Sequence, residues 1–481
     1  MKSIITENGL TFKDLEKKIY AWVCQIGQEF TREFLERYDQ ILMKERDKEK
    51  YRHKGTRQTT VKTVYGEVTY ERVVYQLTEE DGSKRFVYLL DETLEVGRVG
   101  LVSTNMAQLL VKGITELSYR GCAEEASRLT GQTISVMGVW NVVQALGERV
   151  CEEEKALVED YKKGHVHGEK EAPVLFEEAD GVYVNLQEGR RRAGKKAGKK
   201  GKKKAEIKVG IAYDGWKRTG NGRYELADKV VVAGISGTRE FQEYREASIA
   251  KRFNLDEVGQ RILNGDGAAW IRKVKDESTC FQLGPFHRNQ AVRKKVHDRR
   301  AVQAIMELLR GERLEGLFEY LEIYKNSLWE EDEIQEAEEL IRYYRENREG
   351  LVPYQSRGLE LPEHPDGLEY KGMGTMENHV WSVIARRMKH NHSSWSRHGG
   401  NHLAKILAKK CSGRLYEVTE PLRRPVFEEG KVEELYGEIL MSAKAPKRDG
   451  KGYEYPAIGH MVGLEGKVSG DRRKLLSMAG F

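Results

Sequence analysis

The stretch PVLFEEADGVYVNLQ, residues 173 to 187, constrains this chain most, because it reads as a central strand with a charge on its apolar side. Side chains alternate between the two faces of a strand, so Val174, Phe176, Val182, Val184 and Leu186 share one face. Asp180 has their parity and is aimed the same way. A carboxylate on a dry face costs roughly several kcal/mol unless a cation or a hydrogen-bond network compensates it. The fold must therefore bring such a partner to the middle of this strand.

There is ample chain to do so. At 481 residues a single small module is excluded and roughly two to four domains are accommodated. A content of 39% hydrophobic and 33% charged residues fits a globular chain, and no run approaches the ~18 apolar residues of a membrane span. The opening MKSIITENGLTFKDLEKK lacks the apolar segment of a secretory signal, which predicts a cytoplasmic, nucleoid-associated protein with no membrane partner. Cys24, Cys122, Cys151, Cys280 and Cys411 are scattered without a CxxC pair, predicting reduced core thiols and no zinc knuckle. The net charge is +6, yet RRRAGKKAGKKGKKK at residues 190 to 204 carries ten Lys and Arg and no acid. Without those ten charges the remainder is −4, so basicity is local.

All nine prolines lie at or beyond Pro173, leaving the first 172 residues free for long helices. From Phe12 to about Arg46, Leu15, Ile19, Trp22, Val23, Ile26, Phe30, Phe34 and Leu35 recur at helical spacing. They predict a core-facing helix with a break near Gln28. VKTVYGEVTYERVVYQL and KRFVYLL flank EEDGS and predict a small β element turning at Asp81-Gly82, completing a first region at residues 1–102. Residues 103–165 have the outline of a helix-turn-helix. Tyr119, Cys122, Ala123, Ala126 and Leu129 form one stripe, TGQT a turn, and Ser135 a cap for a helix carrying Val139, Val142, Val143 and Leu146. No basic residue opens that second helix, so a DNA-reading role and plain packing of two helices both stay open.

Across residues 166–298 the central strand is followed by EIKVGIAYDGWK and KVVVAGIS, a polar helix near Glu243 to Phe253, then RILNGDGAAWI and STCFQLGPFH. Strand, strand, strand, helix, strand, strand is the element series of a ribonuclease-H-like core. Residues 299–371 change to three amphipathic helices, with stripes Val302–Ile305–Met306–Leu309, Leu314–Leu317–Phe318–Leu321 and Ile334–Ala337–Ile341–Tyr344. They are expected to pack on each other as a semi-independent layer. The core resumes at residues 372–411, and 412–481 is a polar tail. The predicted class is α/β: a ribonuclease-H-like catalytic core interrupted by an all-α insertion, after a mainly helical N-terminal DNA-binding region with a small β element.

Two further carboxylates join Asp180. Asp266 ends a strand between Gly265 and Gly267, where backbone or ligand can come close. In GMGTMENHVW, Thr375 is placed to cap a helix whose Glu377 shares a face with Trp381, Ile384 and Met388. Singly, each has a bland explanation as a turn aspartate or a helix-dipole partner. Together they form an oxygen-donor set for a pair of Mg2+ or Mn2+ ions, which suits in-line phosphodiester displacement.

These segments resemble a known family. ADG at Asp180, GDGAAWI at Asp266 and GMGTMENHV at Glu377, with YGEVTYERVVY, LLDE and SYRGCAEEASRLTG upstream, look like the ISLre-type bacterial insertion-sequence transposases, long catalogued as an uncharacterised protein family. The resemblance covers nearly the whole chain. It implies a DDE transposase, distantly Mutator-like, with Asp180, Asp266 and Glu377 as first, second and third catalytic and metal-binding carboxylates. It implies binding to terminal repeats, metal-dependent cleavage, strand transfer to target DNA, and action as a homo-oligomer on DNA. A nuclease or resolvase that only cuts, or a non-catalytic DNA-binding relic, are the alternatives. The 111 residues between Asp266 and Glu377 leave room for the helical insertion. One departure stands out: Gly284, where relatives of the wider group have aspartate, lies three residues before His287 in LGPFHRN.

DNA contact is expected from Arg190, Arg191, Arg192, Lys195, Lys196, Lys199, Lys200, Lys202, Lys203 and Lys204, which hang beside the catalytic strand, and from His287, Arg386 and Arg387. Asp214 in AYDGW also ends a strand beside glycine and is read as structural, whereas Glu178 shares the parity of Asp180 and is read as an outer support. KHNHSSWSRHGGNH, residues 389–402, gathers four histidines but lacks the context of an HNH nuclease and is read as a solvated, DNA-facing segment. Trp395 within it is read as packing, with base stacking the lesser alternative.

Overall fold

The computed structural model describes residues 11–79, 82–94, 99–187, 204–272, 279–389, 393–422 and 425–444. The chain divides into two compact units, one of residues 1–59, 68–94 and 425–481, the other of residues 60–67 and 95–424.

In the first unit, a helix runs unbroken over Phe12–Glu45, with Thr11 capping it through the Asp14 amide. The break expected near Gln28 is absent. Nor is its first half core-facing: Ile19, Trp22, Val23 and Ile26 are all exposed. Cys24 is buried in the first half, but the larger burial is in the second, where Leu35 and Tyr38 are covered and Phe427 meets Tyr38 edge-on at 4.9 Å between centroids. The tail is therefore more than polar filler. It contributes the helix Glu429–Lys444, whose Leu435 and Ile439 are buried one helical turn apart. Strands Tyr51–Thr63, Gly66–Thr78 and Lys84–Val87 form one sheet, in which Thr78 pairs with Lys84 across the expected EEDGS connection. Sequence reading ran through the earlier turn at Val64-Tyr65.

The second unit is built on a five-stranded sheet: β1 (Val174–Asn185), β2 (Lys204–Tyr213), β3 (Val230–Gly234), β4 (Gln260–Gly265) and β5 (Thr279–Leu283), in the order β3-β2-β1-β4-β5. β2 runs antiparallel to β1 and β3 to β2, whereas β4 is parallel to β1 and β5 to β4. The helices that matter to the site are α1 (Val136–Lys162), α2 (Thr238–Ala250), α3 (Pro285–Lys295), the short α4 (Met376–Val380) and α5 (Arg397–Cys411).

Val174, Phe176, Val182 and Val184 lie in one buried cluster with Val139 and Leu146 of α1 and Leu403 and Leu407 of α5. That is the parity on which Asp180 sits. On the opposite face, Leu175, Ala212 and Val230 pack with Ile249 of α2 and Phe253. The remainder of that face, Ala179, Leu263, Phe281 and Leu283, is closed by the helices Arg299–Arg310, Leu314–Asn326 and Glu331–Glu346. The insertion is thus not a semi-independent layer. Its stripes face the sheet as well as each other, which periodicity cannot distinguish. Ile305, Leu317, Leu321, Leu340 and Tyr344 are fully buried there, and such side chains contribute roughly 1.5–3 kcal/mol each against a total stability of about 5–15. Replacing residues 299–350 by a glycine-serine linker is expected to abolish cooperative thermal unfolding. A native-like melting transition in that deletion would restore the independent layer.

Before the sheet, Ser135 caps its helix as expected through the Gly138 amide, Ser118, for which no cap was predicted, does the same through the Gly121 amide, and Gly131 takes φ +64° at the turn between them. Leu129 leaves the stripe and is 40% exposed. The second helix, α1, runs on for 27 residues as a wall of the sheet, which favours packing over base reading. The small sheet of Trp216–Gly220, Arg223–Leu226 and Leu368–Glu369 was not anticipated. Among the described residues, no helix is long and apolar enough to cross a membrane.

Candidate active site

The topology brings the three carboxylates to one place. Asp180 lies in β1 opposite Val209 of β2, and its side chain is 13% exposed. Asp266 follows directly on β4, whose Gly265 pairs with Ala179, so it emerges beside Asp180. Asp266 Oδ1 accepts from the Ala268 amide at 2.8 Å, and its carbonyl accepts from the Tyr343 hydroxyl at 2.7 Å. Gly267 adopts φ +84°, and a Cβ there would fall 2.7 Å from Asn347 Oδ1, so this turn needs glycine. Glu377 stands in the first turn of α4.

Glu178 holds these pieces together. It is fully buried, yet its carboxylate accepts from Tyr213 Oη of β2 at 2.9 Å and Asn264 Nδ2 of β4 at 2.7 Å. Thr375, immediately before α4, adds its hydroxyl at 2.7 Å and its amide at 3.2 Å. Thr375 is thus at the predicted cap position but makes no side-chain cap; its hydroxyl is given to Glu178 instead. The face predicted for Glu377 also changes. A π-helical turn over Trp381–Ala385 interrupts the 3.6 period, so Ile384 and Met388 are buried while Trp381 is 53% exposed.

His287, in the first turn of α3, completes the group. Its Nε2 lies 3.6 Å from Asp180 Oδ2 and 4.0 Å from Glu377 Oε1, and is buried with no hydrogen-bond partner. The Gly284 amide, which opens α3, donates to Gly265 O at 2.8 Å and fixes this helix against the end of β4. With glycine at position 284, Asp180 is the carboxylate nearest His287 Nε2. Burial lowers the imidazole, but contact with Asp180 and the charges of Asp266 and Glu377 outweigh it and hold His287 above its ordinary range. Burial raises the Asp266 carboxyl, with the Asp180 charge adding and the Ala268 amide and His287 opposing. Burial likewise raises Glu377, with Glu178 and Asp180 adding and its own amide and His287 opposing. Crowded carboxyls with raised values and an unpaired nitrogen fit a cationic ligand, and oxygen donors suit a hard dication. The group is open, since no three of its ligand atoms all fall within 4.8 Å of one another.

With this geometry in hand, comparison with known proteins is informative. Residues 5–424 match the model of an uncharacterised protein family, UPF0236. The chain belongs to that family. It is similar to three UPF0236 proteins of Caldanaerobacter subterraneus subsp. tengcongensis. One is 26% identical over 424 residues, covering 86% of this chain and 81% of the relative. A second is 25% identical over 425 residues, covering 86% and 82%. The third is 26% identical over 428 residues, covering 86% and 81%. The first carries eleven serial designations under one name and the third carries four.

Other predicted residues of this UPF0236 chain are placed apart from the carboxylates or outside the described residues. Arg190, Arg191, Arg192, Lys195, Lys196, Lys199, Lys200, Lys202 and Lys203 lie outside them, while Lys204 opens β2 and is exposed. Arg386 is exposed and pairs with Glu116 at 2.7 Å. Arg387 is engaged internally: its Nε donates to Ile114 O at 2.8 Å and its guanidinium lies over Trp395. Trp395 is buried, donates to Met388 O at 2.9 Å and bridges to Leu186, so it is a packing residue. Asp214 follows Tyr213, whose partner Phe176 ends the β1–β2 ladder four residues from Asp180, and Lys170 Nζ lies 3.2 Å away. Glu177, on the opposite face from Asp180, is buried between Arg245 and Arg261.

Two participants escaped sequence reading. Tyr213 and Asn264 carry no motif, and only their position on the strands flanking β1 at the level of Glu178 marks them.

Proposed function

We propose that this protein is a DDE transposase of a bacterial insertion sequence, of the ISLre-type that its motifs resemble. Its sheet is taken as a ribonuclease-H-like core, and Asp180, Asp266 and Glu377 as the holders of two Mg2+ or Mn2+ ions. The observation that carries this reading is the convergence of those three carboxylates, from β1, from the end of the parallel neighbour β4 and from α4, around His287. A central strand with an antiparallel hairpin on one side and two parallel strands on the other supports the core assignment. A relative found under eleven designations in one organism is also what a self-copying element leaves behind.

When bound, such ions activate water or a 3′-hydroxyl and stabilise the leaving oxygen in an in-line displacement. The chain's own residues supply the frame. Glu178 fixes the start of α4 to β1, and so sets where Glu377 points. His287 faces Asp180 through Nε2, and the surrounding carboxylates hold it above its ordinary range. A homo-oligomer would hold two element ends together for joining.

The test is to incubate the purified chain with DNA bearing the element ends, target DNA and Mg2+. Nicking at the ends, and joining of pre-cleaved 3′-hydroxyls to target, are expected; cutting without joining identifies a nuclease or resolvase, and no Mg2+-dependent cleavage overturns the proposal. Replacing the ten Lys and Arg of residues 190–204 by serine is expected to weaken end and random DNA alike. The slope of log affinity against log salt should flatten by roughly 0.9 for each phosphate that is no longer neutralised. Unchanged affinity and slope would show the run to be a solvated connection.

A further inference from the structure

Outside the carboxylate group, a second set of ligand-bearing side chains comes together. Among the described residues, Glu148, His398 and His402 are the one set of three whose ligand atoms all lie within 4.8 Å of one another. His398 and His402 are four apart on α5, so they share a helix face, with ring centroids 3.9 Å apart. Glu148 reaches them from α1, its Oε2 lying 3.1 Å from His398 Nε2 and 3.3 Å from His402 Nε2. Gly147 permits this approach, since a Cβ there would fall 2.4 Å from that of His402.

His402 decides what the set can hold. Its side chain is 1% exposed, yet Nε2 has no hydrogen-bond partner. Its Nδ1 lies 2.9 Å from Gln144 Oε1, an oxygen that only accepts, so the proton sits on Nδ1 and the lone pair on Nε2 faces Glu148. A neutral nitrogen lone pair and a carboxylate oxygen directed at each other across 3.3 Å repel unless a cation stands between them. That spacing is also roughly the edge of a tetrahedron with arms of ~2.0–2.1 Å, the length of zinc bonds to imidazole and carboxylate.

We propose that Glu148, His398 and His402 form a binding site for one transition-metal dication of the zinc class, distinct from the carboxylate group around Asp180. Two imidazole nitrogens and one oxygen favour such an ion over magnesium, and Gln144 is the outer partner that orients His402. The three side chains line a cavity of about 310 Å³ together with Cys151, Asn401 and Lys405, leaving room for water to complete the coordination. The ion fastens α1 to α5, the two helices that cover the Asp180 face of the sheet.

The test uses the full chain, stripped with a chelator and titrated with Zn2+ and with Co2+. With Mg2+ in excess to occupy oxygen-donor sites, one equivalent should bind, Co2+ should develop visible absorption bands of a nitrogen–oxygen site, and Zn2+ should raise the melting temperature. His398→Ala, at an exposed position, and Glu148→Gln should each weaken binding at least roughly a hundredfold, the upper end for loss of an outer partner alone. Glu152→Gln, at an exposed carboxylate of the same helix as Glu148, should bind as the wild type does. The proposal is overturned if the wild type takes up no stoichiometric ion, if His398→Ala and Glu148→Gln bind unchanged, or if Glu152→Gln abolishes binding. The readout is metal binding alone, so failure here leaves the transposase proposal standing.

Discussion

Asp180→Asn, Asp266→Asn and Glu377→Gln are each expected to abolish strand cleavage while leaving binding of element ends within a fewfold of the wild type. Each change removes a charge from the group around His287 but keeps the side-chain volume. Metal-assisted stabilisation of the displacement is worth several kcal/mol, so loss of one ligand should cost roughly a thousandfold or more in rate. Docking on phosphates rests on other residues and should not follow. Relief of like-charge crowding makes a second signature: Asp266→Asn should leave the protein without added Mg2+ at least as stable as the wild type, since burial and Asp180 already oppose ionisation there. Asp214→Ala should keep its cleavage activity, because that carboxylate lies past the end of β2 and is paired with Lys170. Gel assays of nicking and binding on the same preparations decide the matter. Active Asp266→Asn with inactive Asp214→Ala would place the chemistry at the wrong end of the sheet.

The parity of Asp180 and the glycine-flanked turn at Asp266 were legible because both are local: one rests on strand alternation, the other on the backbone freedom of Gly267. The Ser135 cap and the insertion's stripes were legible for the same reason. What local pattern could not show is which surface covers which. The helix Phe12–Glu45 has the apolar spacing of a core helix, yet half of that stripe is exposed, while the insertion stripes turn out to close the sheet. His287 meets Asp180 across 107 residues, and Glu148 meets His402 across 254; neither distance leaves a trace in periodicity. The four-histidine segment behaves the same way. Its reading as a solvated stretch fails for His402, which is buried, because the segment starts α5 and one helical face turns inward onto α1.

Glu178→Ala is expected to destabilise the sheet strongly, by roughly 2–5 kcal/mol, through the buried donors it leaves unpaired. It strands the buried Tyr213 hydroxyl and the Asn264 amide, each costing about 1–3 kcal/mol when unpaired, and releases both Thr375 donors. Glu178→Gln should cost less than Glu178→Ala. Its amide oxygen can still accept from Tyr213 and Thr375, and its amide nitrogen can meet Asn264 Oδ1, which is buried without a partner. Glu178 is a positioning residue, so activity should fall for a different reason from that at Asp180. Glu178→Gln keeps a weakened anchor for Thr375 and should retain measurable nicking where Glu377→Gln has none, whereas Glu178→Ala frees the start of α4 and should lose more. Coupling separates this from general loss of stability. In a double-mutant cycle, Glu178→Ala and Thr375→Val should show about 1–3 kcal/mol of interaction, as expected for direct partners, whereas Glu178→Ala with Ile305→Val, inside the helical insertion, should be additive within about 0.5 kcal/mol. Additive behaviour of the Glu178–Thr375 pair, measured by denaturant unfolding, would show that the carboxylate stabilises the sheet without holding the glutamate helix to it.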